Sequence, residues 1–191
     1  MRCIFWITIP LSHLLLTPRA RLVDFKQVND EQIINYYLEN AEHLRKGGGP
    51  RRDTKALVQS MVASWHSSAS TNTAIQFLML VDDQVIGTVG VSNIVRGPFQ
   101  AAYLGYNISQ DQQGKGLMTE ALTAVIDYVF TEINLHRLMA NYRPKNLASA
   151  RVLEKLNFTI EGFAKNYLMV DDQWCDHVLT SLTNPNWTVE L

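Results

Sequence analysis

The segment Gln112-Gln113-Gly114-Lys115-Gly116-Leu117-Met118-Thr119-Glu120 sets a lysine between two glycines. Ahead of it, Ala101 to Ile108 is an apolar and aromatic run that reads as a strand, broken at Asp111 to Gln113. Behind it, Leu117, Ala121, Ala124, Val125, Tyr128 and Val129 fall on one stripe of an amphipathic helix. Glycines at such a passage let the backbone come close to a ligand, and the unpaired N–H groups of the helix's first turn then face an anion. The chemistry that suits is the holding of a phosphate or diphosphate. A tight turn with no ligand is the competing reading. The segment lacks the Gly-Lys-Ser/Thr ending of a P-loop and is one glycine short of G-x-G-x-x-G.

Other chemistries find less support. The five histidines, at 13, 43, 66, 136 and 177, form no H-x-x-x-H pattern, and the two cysteines, Cys3 and Cys175, have no ligand spacing, so no metal site is expected. Two cysteines are also too few for a disulfide framework, which fits a reducing cytoplasm. A net charge of −1 gives no broad basic face for nonspecific nucleic-acid binding, although Arg45, Lys46, Arg51 and Arg52 form a local basic patch.

The elements that must position the turn follow from patterning. At 191 residues the chain reads as one domain, 12–191, preceded by a tail or strand over 1–11. The apolar run after Arg2 is too short to span a bilayer and no A-x-A cleavage site follows it, so no membrane association is expected. Leu14 to Phe25 reads as a strand interrupted by Pro18, and Asp30 to Leu44 as a helix. A glycine-rich loop covers Arg45 to Arg52, and Asp53 or Thr54 caps a second helix reaching about Trp65. Ala74 to Val81 and Val85 to Val95 form a hairpin about Asp82-Asp83-Gln84. After the helix that ends near Glu132 come a strand, Arg137 to Tyr142, a helix, Asn146 to Leu156, and a hairpin of Phe158 to Val170 with Trp174 to Leu182. The order predicts a mixed α+β sheet with a helical crossover after its fourth strand.

This order resembles the GNAT N-acetyltransferase superfamily, together with Q-G-K-G-L-M-T-E-A-L, Asn146-x-x-Ser149, and L-N-F then E-G-F over Leu156 to Phe163. Tyr103-Leu104-Gly105-Tyr106, Met139-Ala140-Asn141-Tyr142 and Gly162 to Leu168 are similar to its RimJ branch. The resemblance implies a mostly antiparallel twisted sheet, helices on both faces and a splay between the fourth and fifth strands. It implies acetyl-CoA as co-substrate and no metal. The pantetheine arm would pair with the backbone of Tyr106, Asn107 and Ile108, and the diphosphate would sit on Gln113, Gly114, Lys115, Gly116, Leu117 and Met118. Asn146 and Ser149 would also contact the cofactor. The acceptor implied is the N-terminal alanine of a small-subunit ribosomal protein, with a ribosome contact and a monomer or homodimer in the cytoplasm.

Three positions depart from the superfamily pattern. Asp111 stands where a glutamine or arginine is usual, Leu153 where a tyrosine commonly returns a proton to the leaving thiolate, and Asn157 where a glycine is usual. Glu161 is the first choice of general base, against the reading of an exposed strand carboxylate. Ser149 is the choice of proton donor, against a helix-capping or cofactor-binding serine. Tyr103, Asn141, Tyr142 and Tyr167 are expected to line the acceptor cleft. An α-amine has a pKa of about 7.7–8.0, so roughly a tenth is neutral at pH 7 and only a weak base is required. Acetylation of a polyamine or antibiotic, and a ribosome-assembly factor that keeps the fold without catalysis, are the alternatives.

Overall fold

The computed structural model describes residues 14–189. The expected tail over 1–11 lies outside the described residues. Eight strands form one sheet: β1 (Leu14–Leu16), β2 (Arg21–Asp24), β3 (Ala74–Val81), β4 (Gln84–Val95), β5 (Ala101–Ile108), β6 (Arg137–Tyr142), β7 (Thr159–Val170) and β8 (Gln173–Thr183). Their spatial order is β1-β2-β3-β4-β5-β6-β8-β7, and every neighbouring pair is antiparallel except β5 with β6. Among the described residues five α-helices complete the fold: α1 (Asp30–Glu39), α2 (Ala41–Lys46), α3 (Lys55–Ser70), α4 (Leu117–Thr131) and α5 (Leu147–Lys155). The mixed α+β architecture is the one the element order predicts.

Local chemistry explains most of the boundaries. The turns Asp82-Asp83 and Asp171-Asp172 each hold two consecutive residues at positive φ, 48° and 61°, then 51° and 59°. These are two-residue hairpin loops, and short aspartate side chains tolerate the left-handed region. Asn157, at φ 61°, ends α5 as expected for an asparagine in a glycine's place.

Three boundaries differ from expectation. The segment around Pro18 is a turn between two antiparallel strands rather than an interruption in one, because Thr17 Oγ1 and the Ala20 backbone close it with hydrogen bonds of 2.9 and 3.0 Å. Asn40 divides the first helix in two: its Nδ2 donates to the Tyr36 carbonyl at 2.9 Å, and its own backbone leaves the helical region at φ −103°, ψ 7°. Helix α3 runs on to Ser70 because the hydroxyls of its last turn bond back to helix carbonyls, as Ser70 Oγ does to Ser67 at 2.7 Å.

Side chains alternate across the sheet, so two cores form. One face carries Leu22, Phe77, Met79, Val89, Val91, Leu104 and Leu138, covered by α4 through Ala121, Leu122, Val125 and Val129 and by α5 through Leu153. The other carries Val23, Leu78 and Leu80, covered by α1 and α3 through Ile33, Tyr37, Val58 and Val62. Among the described residues that second core contains none from β5 to β8, so on that face β6, β7 and β8 carry no apolar helical cover.

Candidate active site

Strands β5 and β6 are paired only where they begin, Ala101 with Arg137, Ala102 with Leu138 and Tyr103 with Met139. Beyond that point they part, and a gap opens between Leu104–Ile108 and Ala140–Tyr142. The register with β4 decides which groups of β5 face it. Ser109 N donates to the Ile86 carbonyl at 2.8 Å, directly opposite, so Asn107 and Gly105 also exchange their hydrogen bonds with β4. The N–H and C=O groups of Leu104, Tyr106 and Ile108 therefore turn toward the gap. This corrects the expectation for Asn107, whose backbone faces β4. Its side chain instead accepts from Tyr36 Oη at 2.6 Å and donates to Thr88 Oγ1 at 2.8 Å, pinning α1 to the sheet. Leu104 takes its place, as strict alternation from Tyr106 requires. At the rim, His43 Nε2 lies 3.2 Å from the Ile108 carbonyl oxygen.

The gap ends at the glycine turn. Gly114 and Gly116 have φ of 72° and 82°, which glycine adopts without strain. Gly116 is the N-cap of α4 and no side chain caps that helix, so the N–H groups of its first turn have no intrahelical acceptor and none is covered by a capping oxygen. Leu117 and Met118 bury their side chains in the core and present only backbone here. Gln113 contributes less than expected, since its N–H is bonded to the Gln110 carbonyl at 3.3 Å. Lys115 Nζ rests on Gln112 Oε1 at 3.0 Å. Asp111 turns its carboxylate to solvent beside Gln112, and hydrogen bonds from Ser109 and Gln112 hold its carboxyl below the usual carboxylate range.

On the far side of the gap, Asn146 is the N-cap of α5. Its Oδ1 accepts from Ser149 N at 3.1 Å and its Nδ2 donates to the Gly47 carbonyl at 2.7 Å. It ties the glycine loop after α2 to the start of α5. Ser149 Oγ stands 2.7 Å from Tyr106 Oη, so a hydroxyl from β5 and one from α5 meet across the gap. Burial is the main cause that pushes the Tyr106 phenol up to about 12, with the Ser149 hydrogen bond opposing it. Leu153 is buried in the core one helical turn on and offers no proton.

The uncovered face gathers a second group. Tyr103 Oη and Asn141 Nδ2 each lie 3.4 Å from Tyr167 Oη, and the Tyr167 ring packs on buried His177 with centroids 5.8 Å apart. An irregularity in β7 between Ala164 and Leu168, with Asn166 at φ 50°, turns Tyr167 onto this face. Tyr142 does not join them: one residue after Asn141, it points to the opposite face and packs with Tyr106 against the α4 core. Glu161 shares the uncovered face with Arg137, which ion-pairs with it. That hydrogen bond from the guanidinium holds the Glu161 carboxyl below the usual range. Among the described residues no cluster of three or more metal-ligating side chains occurs, and no helix is long and apolar enough to cross a membrane.

A sheet opened between parallel neighbours, beside a glycine turn at a helix start, is a fold-level signature with known relatives. Residues 19–159 match the family model described as an acetyltransferase (GNAT) domain. The chain belongs to the GNAT acetyltransferase family. It is 45% identical over 166 residues to the ribosomal protein uS5-alanine N-acetyltransferase of Escherichia coli, covering 82% of this chain and 84% of that one. Among solved structures, it is similar to a ribosomal-protein-S5-alanine acetyltransferase from Vibrio fischeri, with a TM-score of 0.81 and 34% identity over 93% of this chain and 100% of that one. A Mycobacterium smegmatis RimJ in complex with CoA-disulfide superposes with a TM-score of 0.78 and 27% identity, over 90% and 86% of the two chains.

Proposed function

We propose that the chain transfers the acetyl group of acetyl-CoA to the N-terminal α-amine of a ribosomal protein, an alanine of the small subunit, in the cytoplasm. The observation that carries this is the unpaired edge of β5 running into the uncapped N-terminus of α4. An extended amide-bearing arm fits the former and a diphosphate the latter. Acetyl-CoA supplies both, together with a thioester that an amine can attack directly.

The residues of the chain divide the remaining work. Leu104, Tyr106 and Ile108 hold the arm by backbone hydrogen bonds, and Gly114, Lys115, Gly116, Leu117 and Met118 hold the diphosphate. Ser149, hydrogen-bonded to Tyr106, gives a proton to the departing thiolate and takes one from Tyr106, whose phenolate is then reprotonated from water. Tyr103, Asn141 and Tyr167 receive the first residues of the acceptor. Glu161, kept as a carboxylate by Arg137, accepts the amine's proton through water. Such a weak base suffices, because about a tenth of an α-amine is already neutral at pH 7.

The test is calorimetric titration with acetyl-CoA followed by a thiol-release assay on an alanine-initiated peptide, with spermidine as the comparison amine. Binding with faster release on the peptide supports the proposal. Faster release on spermidine overturns the acceptor, and binding without release on either leaves a non-catalytic factor. Sedimentation with small ribosomal subunits tests the ribosome contact, and sedimentation equilibrium separates monomer from homodimer.

A further inference from the structure

The turn between β1 and β2 sends one side chain to the glycine cradle from nearly a hundred residues away in sequence. Arg19 Nη2 donates to the Lys115 carbonyl at 2.8 Å, and Arg19 Nε donates to Glu120 Oε1 at 2.9 Å, within an ion pair to the first turn of α4. A Cβ added at Gly116 would stand 3.4 Å from Nη2, so the guanidinium lies over the residue from which the helix starts. Nη1 makes no hydrogen bond among the described residues, and the side chain is 49% exposed. Glu120 uses one oxygen on Arg19, while its Oε2 is buried without a partner. The pair is thus anchored on Glu120 and on the Lys115 carbonyl of the glycine turn, with Nη1 left over as a donor.

The other candidates for a side-chain contact to an anion are poorer. Asp111 is acidic and turned to solvent, and Lys115 Nζ is drawn back to Gln112 Oε1 at 3.0 Å. A guanidinium matches a diphosphate better than a lone ammonium because its fork donates to two oxygens in one plane. We infer that Arg19 is a side-chain ligand of the cofactor's diphosphate, with Glu120 as the residue that positions it. The inference rests on the cofactor reading above and assigns to the β1–β2 turn a contact that position 111 cannot make.

The test is calorimetry on the free enzyme with CoA and with 3′-dephospho-CoA, each in a salt series, for wild type, R19Q, R19K and E120Q. The expected result is a loss of about 10- to 100-fold in affinity for R19Q, equal for both ligands, with a shallower salt dependence. R19K recovers part of the affinity and the full salt dependence. E120Q, which keeps the cation but frees it, loses a few-fold with the salt dependence retained. A loss below twofold in R19Q overturns the inference. So does a loss confined to CoA, which would place Arg19 on the 3′-phosphate, and so does an unchanged salt dependence, which would mark a structural role. Should R19Q fail to fold, R19K and E120Q carry the same comparison. Wild type binding neither ligand would instead overturn the cofactor reading itself.

Discussion

The two faces of the opened sheet are built on different principles. On the α4 side the gap is made by backbone: a strand edge without a neighbour, two glycines at positive φ, and a helix start without a cap. Leu104, Leu117 and Met118 bury their side chains in the core and fix the position of the gap, and the hydroxyls of Tyr106 and Ser149 meet across it. On the uncovered side the proposed acceptor surface is made of side chain tips from β5, β6, β7 and β8, held by hydrogen bonds at 3.4 Å and one ion pair. A backbone site serves a co-substrate of constant shape, whereas a surface of side chain tips can change its preference by substitution. The two sites should therefore fail differently when altered.

The largest separation is expected from Gly116→Val, which places a β-branched residue at φ 82° and a Cβ against Arg19. Losing two charge-assisted contacts of about 1.5 kcal/mol or more each predicts a fall of at least about 100-fold in acetyl-CoA affinity by calorimetry. Peptide KM at saturating acetyl-CoA should stay within about twofold, since the acceptor contacts proposed above lie on the other face. A matching rise in peptide KM would break the division between the faces. Ser149→Ala follows, with turnover lowered about 100-fold while acetyl-CoA affinity changes little, at the low end for loss of a general acid. Tyr106→Phe should show the same pattern more weakly, and equal losses in affinity and turnover would return both hydroxyls to cofactor binding.

The division also separates what sequence conveys from what it does not. Strand β5, the glycine turn and the buried stripe of α4 are legible because apolar periodicity and glycine placement are local signals. The expectation for Asn107 is off by one position because strand identity alone does not say which backbone groups face a neighbour; the register with β4 does. Tyr142 fails for the same reason, one residue of alternation from Asn141. Arg19 left no sequence signal, because its meeting with Lys115 and Glu120 exists only once β1 lies beside α4. The Glu161–Arg137 ion pair is similarly invisible, since it spans two strands with β8 between them.

Smaller effects sharpen the uncovered face. Glu161→Gln should lower turnover by about tenfold, less than the roughly 100-fold at the low end for general bases, because in the proposed role the carboxylate is a weak base whose task is light. The Arg137 hydrogen bond depresses the Glu161 carboxyl, so its charged form persists until pH falls below the ordinary carboxylate range. Peptide kcat/KM should accordingly rise with pH only through the titration of the substrate amine near 8 and show no second inflection between about 5 and 7. An inflection there that survives in Glu161→Gln would assign the base elsewhere.

The smallest effect is expected at Tyr167→Phe, which keeps the ring on His177 and removes only the hydroxyl shared by Tyr103 and Asn141. One neutral hydrogen bond is worth about 0.5–1.5 kcal/mol, a rise of roughly 2- to 10-fold in peptide KM with turnover nearly constant. Because the hydroxyl touches neither the free edge of β5 nor the glycine turn, acetyl-CoA affinity should be that of wild type. A change in that affinity would mean that the two faces communicate through β5, where Tyr103 and Tyr106 are three residues apart on opposite sides of one strand.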